Sequence, residues 1–367
     1  MVLEQFNQPL VAAEFPVCDL QPGEVLVRIE AAGVCGSDVH VWHGNDPRTP
    51  LPVVLGHEGV GTIAALAGPK QDVFGRDLRP GDRVMWERGI MCGQCYYCVI
   101  RKQPALCLTR RTYGISLGCS DPPHFNGCYA EYLHLRPRCH IIRIDDDIDP
   151  AVLVAASCSG ATAAHAVQLS NVGRGDTVLV IGPGPLGIFC LAMALEAGAG
   201  EVYVAGRTTS QRRLDLCLEF GAAGTMLLDA LTVEERLGFI REKTHGLGVN
   251  SIMDCTGAVQ AVADNLPLLA PWGTYSISGI ATPVGEAPVS LFEQIAQKNV
   301  RLQGVWVSDT GHLWQAIRLV LGRRHPFERL VTHWFPLAQA TDALRAVASR
   351  DAIKAVLLPW QSADTTP

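Results

Sequence analysis

The chain has 367 residues, 48% hydrophobic and 18% charged, with 36 glycines, 23 prolines and a formal net charge of −6. That length calls for two domains rather than one core. Basic residues cluster no further than Arg110-Arg111, Arg212-Arg213 and Arg323-Arg324, which argues against a nucleic-acid partner.

The opening Met1-Val2-Leu3-Glu4-Gln5-Phe6 has neither the basic segment nor the apolar run of a secretory leader. No later stretch reaches the ~18–20 apolar residues of a membrane helix. A cytoplasmic location without a membrane partner is expected. In that setting the 13 cysteines point to metal before disulfides.

Up to about residue 150 the pattern is short strands separated by turns. Residues 24–30 alternate polar and apolar, as a half-buried strand does. Pro22-Gly23 and Arg79-Pro80-Gly81-Asp82 are turn signals, the second feeding Arg83-Val84-Met85-Trp86. Within this region Cys35-Gly36-Ser37-Asp38-Val39-His40 and Gly56-His57-Glu58 gather a thiol, two imidazoles, two carboxyls and a hydroxyl in 24 residues. Zinc takes Cys sulfur, His nitrogen and carboxylate oxygen, and a catalytic site leaves its fourth position open. Read singly, Cys35 is also compatible with a small buried apolar residue, and His57 with a satisfied core histidine.

Cys92, Cys95 and Cys98 form C-x2-C-x2-C, and Cys107 follows nine positions later. Four thiolates fill a tetrahedral shell, so this lobe, about 88–110, predicts a structural zinc. An iron–sulfur site or unligated thiols are the alternatives.

From about residue 160 the texture changes. Thr177-Val178-Leu179-Val180-Ile181 is a continuous apolar run, as in a parallel strand covered on both faces. Gly182-Pro183-Gly184-Pro185-Leu186-Gly187 follows, then Leu186, Phe189, Cys190, Met193 and Ala197 at helical spacing. Strands near 201–205, 251–254, 275–278 and 302–305, with a helix near 211–220, extend the alternation. About six parallel strands in a doubly wound α/β sheet are predicted. Between a buried strand and a helix, the G-x-G-x-x-G of Gly182, Gly184 and Gly187 reads as a dinucleotide loop with the pyrophosphate at the helix N-terminus. A glycine-rich connection without a ligand is the plainer reading.

NAD sites usually carry an acid ~20 residues on, where this chain has Ala205-Gly206-Arg207-Thr208. Gly206 leaves room for a 2′-phosphate and Arg207 could pair with it, helped by Arg212 or Arg213, so NADP is favoured over NAD. As a solvated loop cation, Arg207 would leave the choice open. After residue 304 come a helix (about 311–321), a strand near Val331-Thr332, another helix and a last strand, Ala355-Val356-Leu357-Leu358.

With the cysteine lobe, the Gly-His-Glu motif and the glycine loop in this order, the chain resembles the zinc-dependent medium-chain alcohol dehydrogenases over essentially its whole length. Sorbitol and threonine dehydrogenases belong to the same superfamily. The resemblance implies a GroES-like, mostly β catalytic domain (1–158) and a Rossmann NAD(P)-binding domain (159–303). A C-terminal segment (304–367) would return to the first domain.

The resemblance makes Cys35, His57 and Cys158 ligands of a catalytic zinc, with Glu58 an acid close to the metal that can replace water as a ligand. Asp38 matches the carboxylate that orients His57. Polyol and threonine dehydrogenases tend to have Glu where Cys158 stands, which places this chain nearer the alcohol dehydrogenases. Cys92, Cys95, Cys98 and Cys107 match a second, structural zinc site. Eight residues separate the last two, where the family usually has seven, so a small bulge is expected. Thr162 and Lys354 match positions near the cofactor, alongside Gly182, Gly184, Pro185, Leu186, Gly187, Gly206 and Arg207. Cys18, Cys119, Cys128, Cys139, Cys190, Cys217 and Cys255 are expected to be unligated.

The implied chemistry is reversible hydride transfer between NAD(P) and an alcohol (primary, secondary or polyol), with zinc as Lewis acid. Ser37 would take the alcohol proton and pass it through the cofactor ribose to His40; His43 lacks the motif position. A zinc-free reductase of this fold would lack Cys35 and His57. A lyase or dismutase with retained cofactor would keep both, and a zinc-module binding protein would leave the glycine loop unexplained. The substrate is a small alcohol or carbonyl compound. Trp86-Glu87-Arg88, the Tyr113 region and Trp306 are pocket candidates, with Arg88 read as a solvated loop cation. Relatives are dimers or tetramers, so a homo-oligomer is expected.

Overall fold

A computed structural model describes residues 1–361. The chain forms two compact units. One comprises Met1–Cys158, Asp309–Leu321 and the chain from Phe327; the other comprises Ser159–Ser308 and Gly322–Pro326.

The first unit is built on a seven-stranded sheet. Its order is Val331–Pro336, Lys354–Leu358, Val25–Val34, Glu58–Leu66, Arg83–Trp86 and Ile141–Arg143, with Tyr132–Leu135 also paired to Val25–Val34. The alternation noted at residues 24–30 belongs to the longest strand, whose inward residues Val25, Val27 and Ile29 are fully buried with Ile63, Val84, Leu133 and Leu357. Lys354–Leu358 lies antiparallel to it, with Ala355 opposite Val34 and Leu357 opposite Ala32. The C-terminal strand thereby reaches the strand end from which Cys35 emerges.

The second unit carries a six-stranded, wholly parallel sheet. Its order is Gly224–Leu227, Glu201–Gly206, Thr177–Ile181, Val249–Asp254, Leu269–Ile277 and Arg301–Gly304. The strand order reverses beside Thr177–Ile181, so the turn after Ile181 sits at the switch point, where open α/β sheets bind ligands. Helix Pro185–Glu196 follows, with Pro185 in its first turn and Gly187 to Ala194 buried.

The parallel unit runs past residue 303, because the Val305 N–H donates to the Ile277 carbonyl at 2.9 Å. Gly322–Pro326 also joins it: Arg324 pairs with Glu196, and His325 hydrogen-bonds the Phe220 carbonyl at 3.2 Å. Among the described residues no single helix is long and apolar enough to cross a membrane.

Candidate metal centres and dinucleotide loop

Cys35 leaves strand Val25–Val34 with extended backbone and caps helix Gly36–Trp42. The capping residue three positions on is Asp38, fully buried, whose Oδ2 accepts the Cys35 N–H at 2.8 Å. Its Oδ1 lies 3.0 Å from His57 Nδ1. One carboxylate thus fixes the backbone of Cys35 and the ring of His57. With Nδ1 turned to Asp38, Nε2 is the ring nitrogen that faces the thiols, 3.3 Å from Cys158 Sγ. Cys158 follows the 3-10 turn Val154–Ser157, and its Sγ is 3.9 Å from Cys35 Sγ.

A tetrahedral zinc with bonds of ~2.3 Å to sulfur and ~2.0–2.1 Å to nitrogen spaces two sulfurs by about 3.8 Å, and sulfur from nitrogen by about 3.6 Å. The observed 3.9 and 3.3 Å fit that shell. Glu58, fully buried at the head of strand Glu58–Leu66, brings its carboxylate to the same place: one ligand atom each from Cys35, His57, Glu58 and Cys158 lies within 4.8 Å of the others. Its Oε2 is ion-paired with the buried Lys354 Nζ. Its Oε1 is buried and receives no hydrogen bond, a costly acceptor that a cation would satisfy.

Burial disfavours the charged form of His57, but Asp38 and then Cys35 outweigh it and raise the pKa to about 10, so a metal bound at Nε2 has to displace the imidazolium proton. The Cys35 thiol, hydrogen-bonded to Cys158, draws the Cys158 pKa down despite burial, aided by Arg88 and Lys354, while its own pKa rises.

Ser37 and His40, three residues apart on helix Gly36–Trp42, share one side of it and are half-buried. Burial, then His43, lowers the His40 pKa below 6.5 against an opposing pull from Asp46. His43 is exposed, with its Nδ1 2.7 Å from Asn7 Oδ1.

The second cluster is different. Cys92, Cys95, Cys98 and Cys107 bring four sulfurs within 4.8 Å of one another, and Cys95 and Cys98 are 3.6 Å apart. The eight-residue connection is accommodated without displacing Cys107. Helix Tyr96–Val99 ends, Lys102 takes a left-handed φ of 53°, and the 3-10 turn Pro104–Leu106 delivers the last thiol. Backbone N–H groups of Gln94 and Cys95 bring the Cys92 pKa down to about 6, so the thiolate forms readily. No third group of metal-binding type occurs among the described residues; Cys190 and Cys255 lie 3.7 Å apart, with no His, Asp or Glu completing a set.

In the second unit the glycine loop has a steric basis. A Cβ on Gly187 would stand 1.9 Å from the Gly182 carbonyl oxygen, and Gly182 itself has φ 98°. Gly184 faces open space apart from Arg213 Nη1 at 3.9 Å, so its smallness is free to serve a ligand. Pro185 and Leu186 open the helix, and Thr162 lies half-buried in helix Ser159–Ser170. Gly206 ends strand Glu201–Gly206, packed against the Pro183 ring and Leu214. Arg207 is exposed near Asp229, which accepts the Thr208 N–H at 2.8 Å.

Two readings are corrected. Arg88 is not a solvated loop cation: it is 5% exposed, and Nη1 donates to the Ser157 carbonyl at 2.6 Å. Tyr113 is core rather than pocket wall, fully buried with its hydroxyl accepting the Arg136 N–H at 2.7 Å. Three features escaped sequence reasoning altogether: the Glu58–Lys354 pair, the Arg88–Ser157 bond and the need for Gly33. A Cβ on Gly33 would stand 2.0 Å from Glu58 Oε2 and 3.1 Å from Lys354 Cε. A glycine inside a strand is a signal of such close approach.

Comparison with known proteins bears on the whole chain. Residues 21–146 match the alcohol dehydrogenase GroES-like domain, and residues 185–322 match the zinc-binding dehydrogenase model. The 5-exo-hydroxycamphor dehydrogenase of Pseudomonas putida is 31% identical over 348 residues, 94% of each chain. The chain belongs to the zinc-dependent medium-chain alcohol dehydrogenase family. Among solved members of that family, an alcohol dehydrogenase from Thermotoga maritima is 42% identical over 98% of each chain, with a TM-score of 0.94. A zinc-binding dehydrogenase from Sinorhizobium meliloti, bound to NADP, is 26% identical over 94% of each chain, with a TM-score of 0.81. As a member of this alcohol dehydrogenase family, the protein is an oxidoreductase that interconverts alcohols and carbonyl compounds with zinc and NAD(P).

Proposed function

We propose that Cys35, His57 and Cys158 hold the catalytic zinc, with Glu58 as an exchangeable fourth ligand, and that Cys92, Cys95, Cys98 and Cys107 hold a second, structural zinc. The observation that carries this reading is the sulfur and nitrogen spacing of the first cluster together with the orphaned Oε1 of Glu58. When bound, zinc supplies Lewis-acid polarisation of the substrate oxygen, and the dinucleotide supplies or accepts hydride.

The chain's own residues do the rest. Asp38 holds His57 and Cys35 in place, and Lys354 offsets the Glu58 charge. Ser37 hydrogen-bonds the substrate hydroxyl and takes its proton, and neutral His40 is the acceptor that hands it to solvent. Gly182, Gly184, Pro185, Leu186 and Gly187 receive the pyrophosphate, Gly206 and Arg207 favour NADP over NAD, and Thr162 and Lys354 match positions near the cofactor in the family. The NADP held by the S. meliloti relative supports that preference, as does the lack of an acid at the end of strand Glu201–Gly206.

The test is a screen of primary and secondary alcohols, polyols and their carbonyl partners with each dinucleotide, following reduced nicotinamide. Net turnover with a higher kcat/KM for NADP is expected. Turnover of substrate without net nicotinamide reduction would instead indicate a lyase or dismutase that retains its cofactor.

A further inference from the structure

Arg88 is a buried cation that the proposed chemistry does not use. It lies between strands Arg83–Trp86 and Gly89–Ile90. Its backbone is fixed from several sides: the Glu87 N–H donates to the His140 carbonyl at 2.9 Å, the Gly89 N–H to Glu87 Oε1 at 2.9 Å, and the Tyr113 N–H to the Arg88 carbonyl at 3.1 Å. From this fixed base the guanidinium reaches the Ser157 carbonyl at 2.6 Å.

That carbonyl ends the 3-10 turn Val154–Ser157 and is one of the C-terminal acceptors such a turn leaves without an internal partner. A guanidinium hydrogen bond to that carbonyl is charge-assisted and therefore stronger than a neutral one. Ser157 is itself pinned, with Oγ donating to the Val154 carbonyl at 2.7 Å. The next residue departs from helical geometry, at φ −121° and ψ −71°. It is Cys158, whose Sγ sits 3.9 Å from Cys35 Sγ and 3.3 Å from His57 Nε2. The peptide oriented by Arg88 is therefore the one from which this thiol hangs.

We propose that Arg88 is a positioning residue of the metal centre. By capping the Ser157 carbonyl it sets the Cys158 sulfur at metal-bonding distance and places a permanent positive charge beside the thiolates. The proposal rests on the reading of Cys35, His57 and Cys158 as metal ligands. Asp38 plays the equivalent part for the other two ligands, so the three protein ligands are held by two buried charged groups of opposite sign.

The test compares wild-type holoenzyme with Arg88→Met, which removes donor and charge at similar length, and Arg88→Lys, which keeps both. Zinc release to a chromophoric chelator and the thiolate-to-cobalt charge-transfer absorption of the cobalt-loaded proteins are the readouts. Partners that orient metal ligands typically contribute about 10–100-fold in affinity. Arg88→Met should weaken retention of one zinc by that factor and lower the cobalt–thiolate absorption. The cysteine-lobe metal and the melting temperature should hold, and Arg88→Lys should recover most of the loss.

Unchanged release and absorption in Arg88→Met would overturn the proposal, as would no recovery in Arg88→Lys. Loss of metal from both clusters with a lower melting temperature would assign Arg88 to the fold alone and overturn it equally. Wild-type protein with only one zinc, in the cysteine lobe, would remove the underlying reading of the centre; that outcome is recognised before any variant is compared.

Discussion

Cys92, Cys95, Cys98 and Cys107 come from one lobe of the chain and offer four like donors, and local backbone N–H groups lower the pKa values of Cys92 and Cys95. Cys35, His57, Glu58 and Cys158 come from three separate elements. They mix sulfur, nitrogen and oxygen donors, and rest on buried charged groups outside the set: Asp38, Lys354 and Arg88. A closed set of thiolates has no position left for substrate, whereas three firm ligands and a displaceable carboxylate do. The difference teaches that a metal centre's task is set by its ligands together with the buried charges that support them.

The sharpest way to break this contrast is to remove one sulfur from each cluster. Cys158→Ser should lower kcat by about 1,000-fold or more, since Lewis-acid stabilisation contributes several kcal/mol at ~1.4 kcal/mol per decade. Its melting temperature should stay close to that of the wild type. Cys95→Ser should show the reverse, a clear fall in melting temperature with kcat in the surviving fold changed only a few-fold. Steady-state kinetics and calorimetry on the two variants check both halves.

A subtler break leaves every ligand in place. Gly33→Ala puts a methyl group into the Glu58–Lys354 pair, and overpacking of this kind costs about 1–3 kcal/mol. Denaturant unfolding should show that loss together with reduced turnover. Gly304→Ala, a strand position with nothing within 4 Å of the added carbon, is the near-neutral control.

These two regions also differ in how far their sequences reveal them. The cysteine lobe is legible from spacing, because its four thiols lie within one short stretch and local turns bring them together. Cys35 and His57 were visible as metal-binding types, but Cys158 stands 101 residues beyond His57 and entered only through family resemblance. The parallel sheet was readable from its apolar runs, since strands covered on both faces leave a continuous signal. Lys354 on Glu58 and Arg88 on Ser157 are long-range tertiary pairs. An arginine after Trp86 looks like a surface residue, and a lysine in a final strand, placed near the cofactor by resemblance, gives no sign of its carboxylate partner until the sheet is closed around both.

The smallest expected effect sharpens the proton route. The His40 pKa lies below 6.5, so the imidazole is neutral at pH 7 and becomes protonated as pH falls. The acid limb of kcat for alcohol oxidation should therefore lie below pH 6.5. His43 contributes to the lowering, after burial, so His43→Gln should move that limb slightly upward. A pH–rate profile with no movement, or with the limb above 6.5, would place the acceptor elsewhere.

The most direct test of the two-centre account is the zinc content per chain of the wild type, Cys158→Ser and Cys95→Ser, measured beside turnover on the same samples. The account predicts about two, one and one zinc by the ligand stoichiometry of such sites, with turnover lost in Cys158→Ser and kept in Cys95→Ser. Two zincs retained in an inactive Cys158→Ser, or one zinc in the wild type, would contradict it.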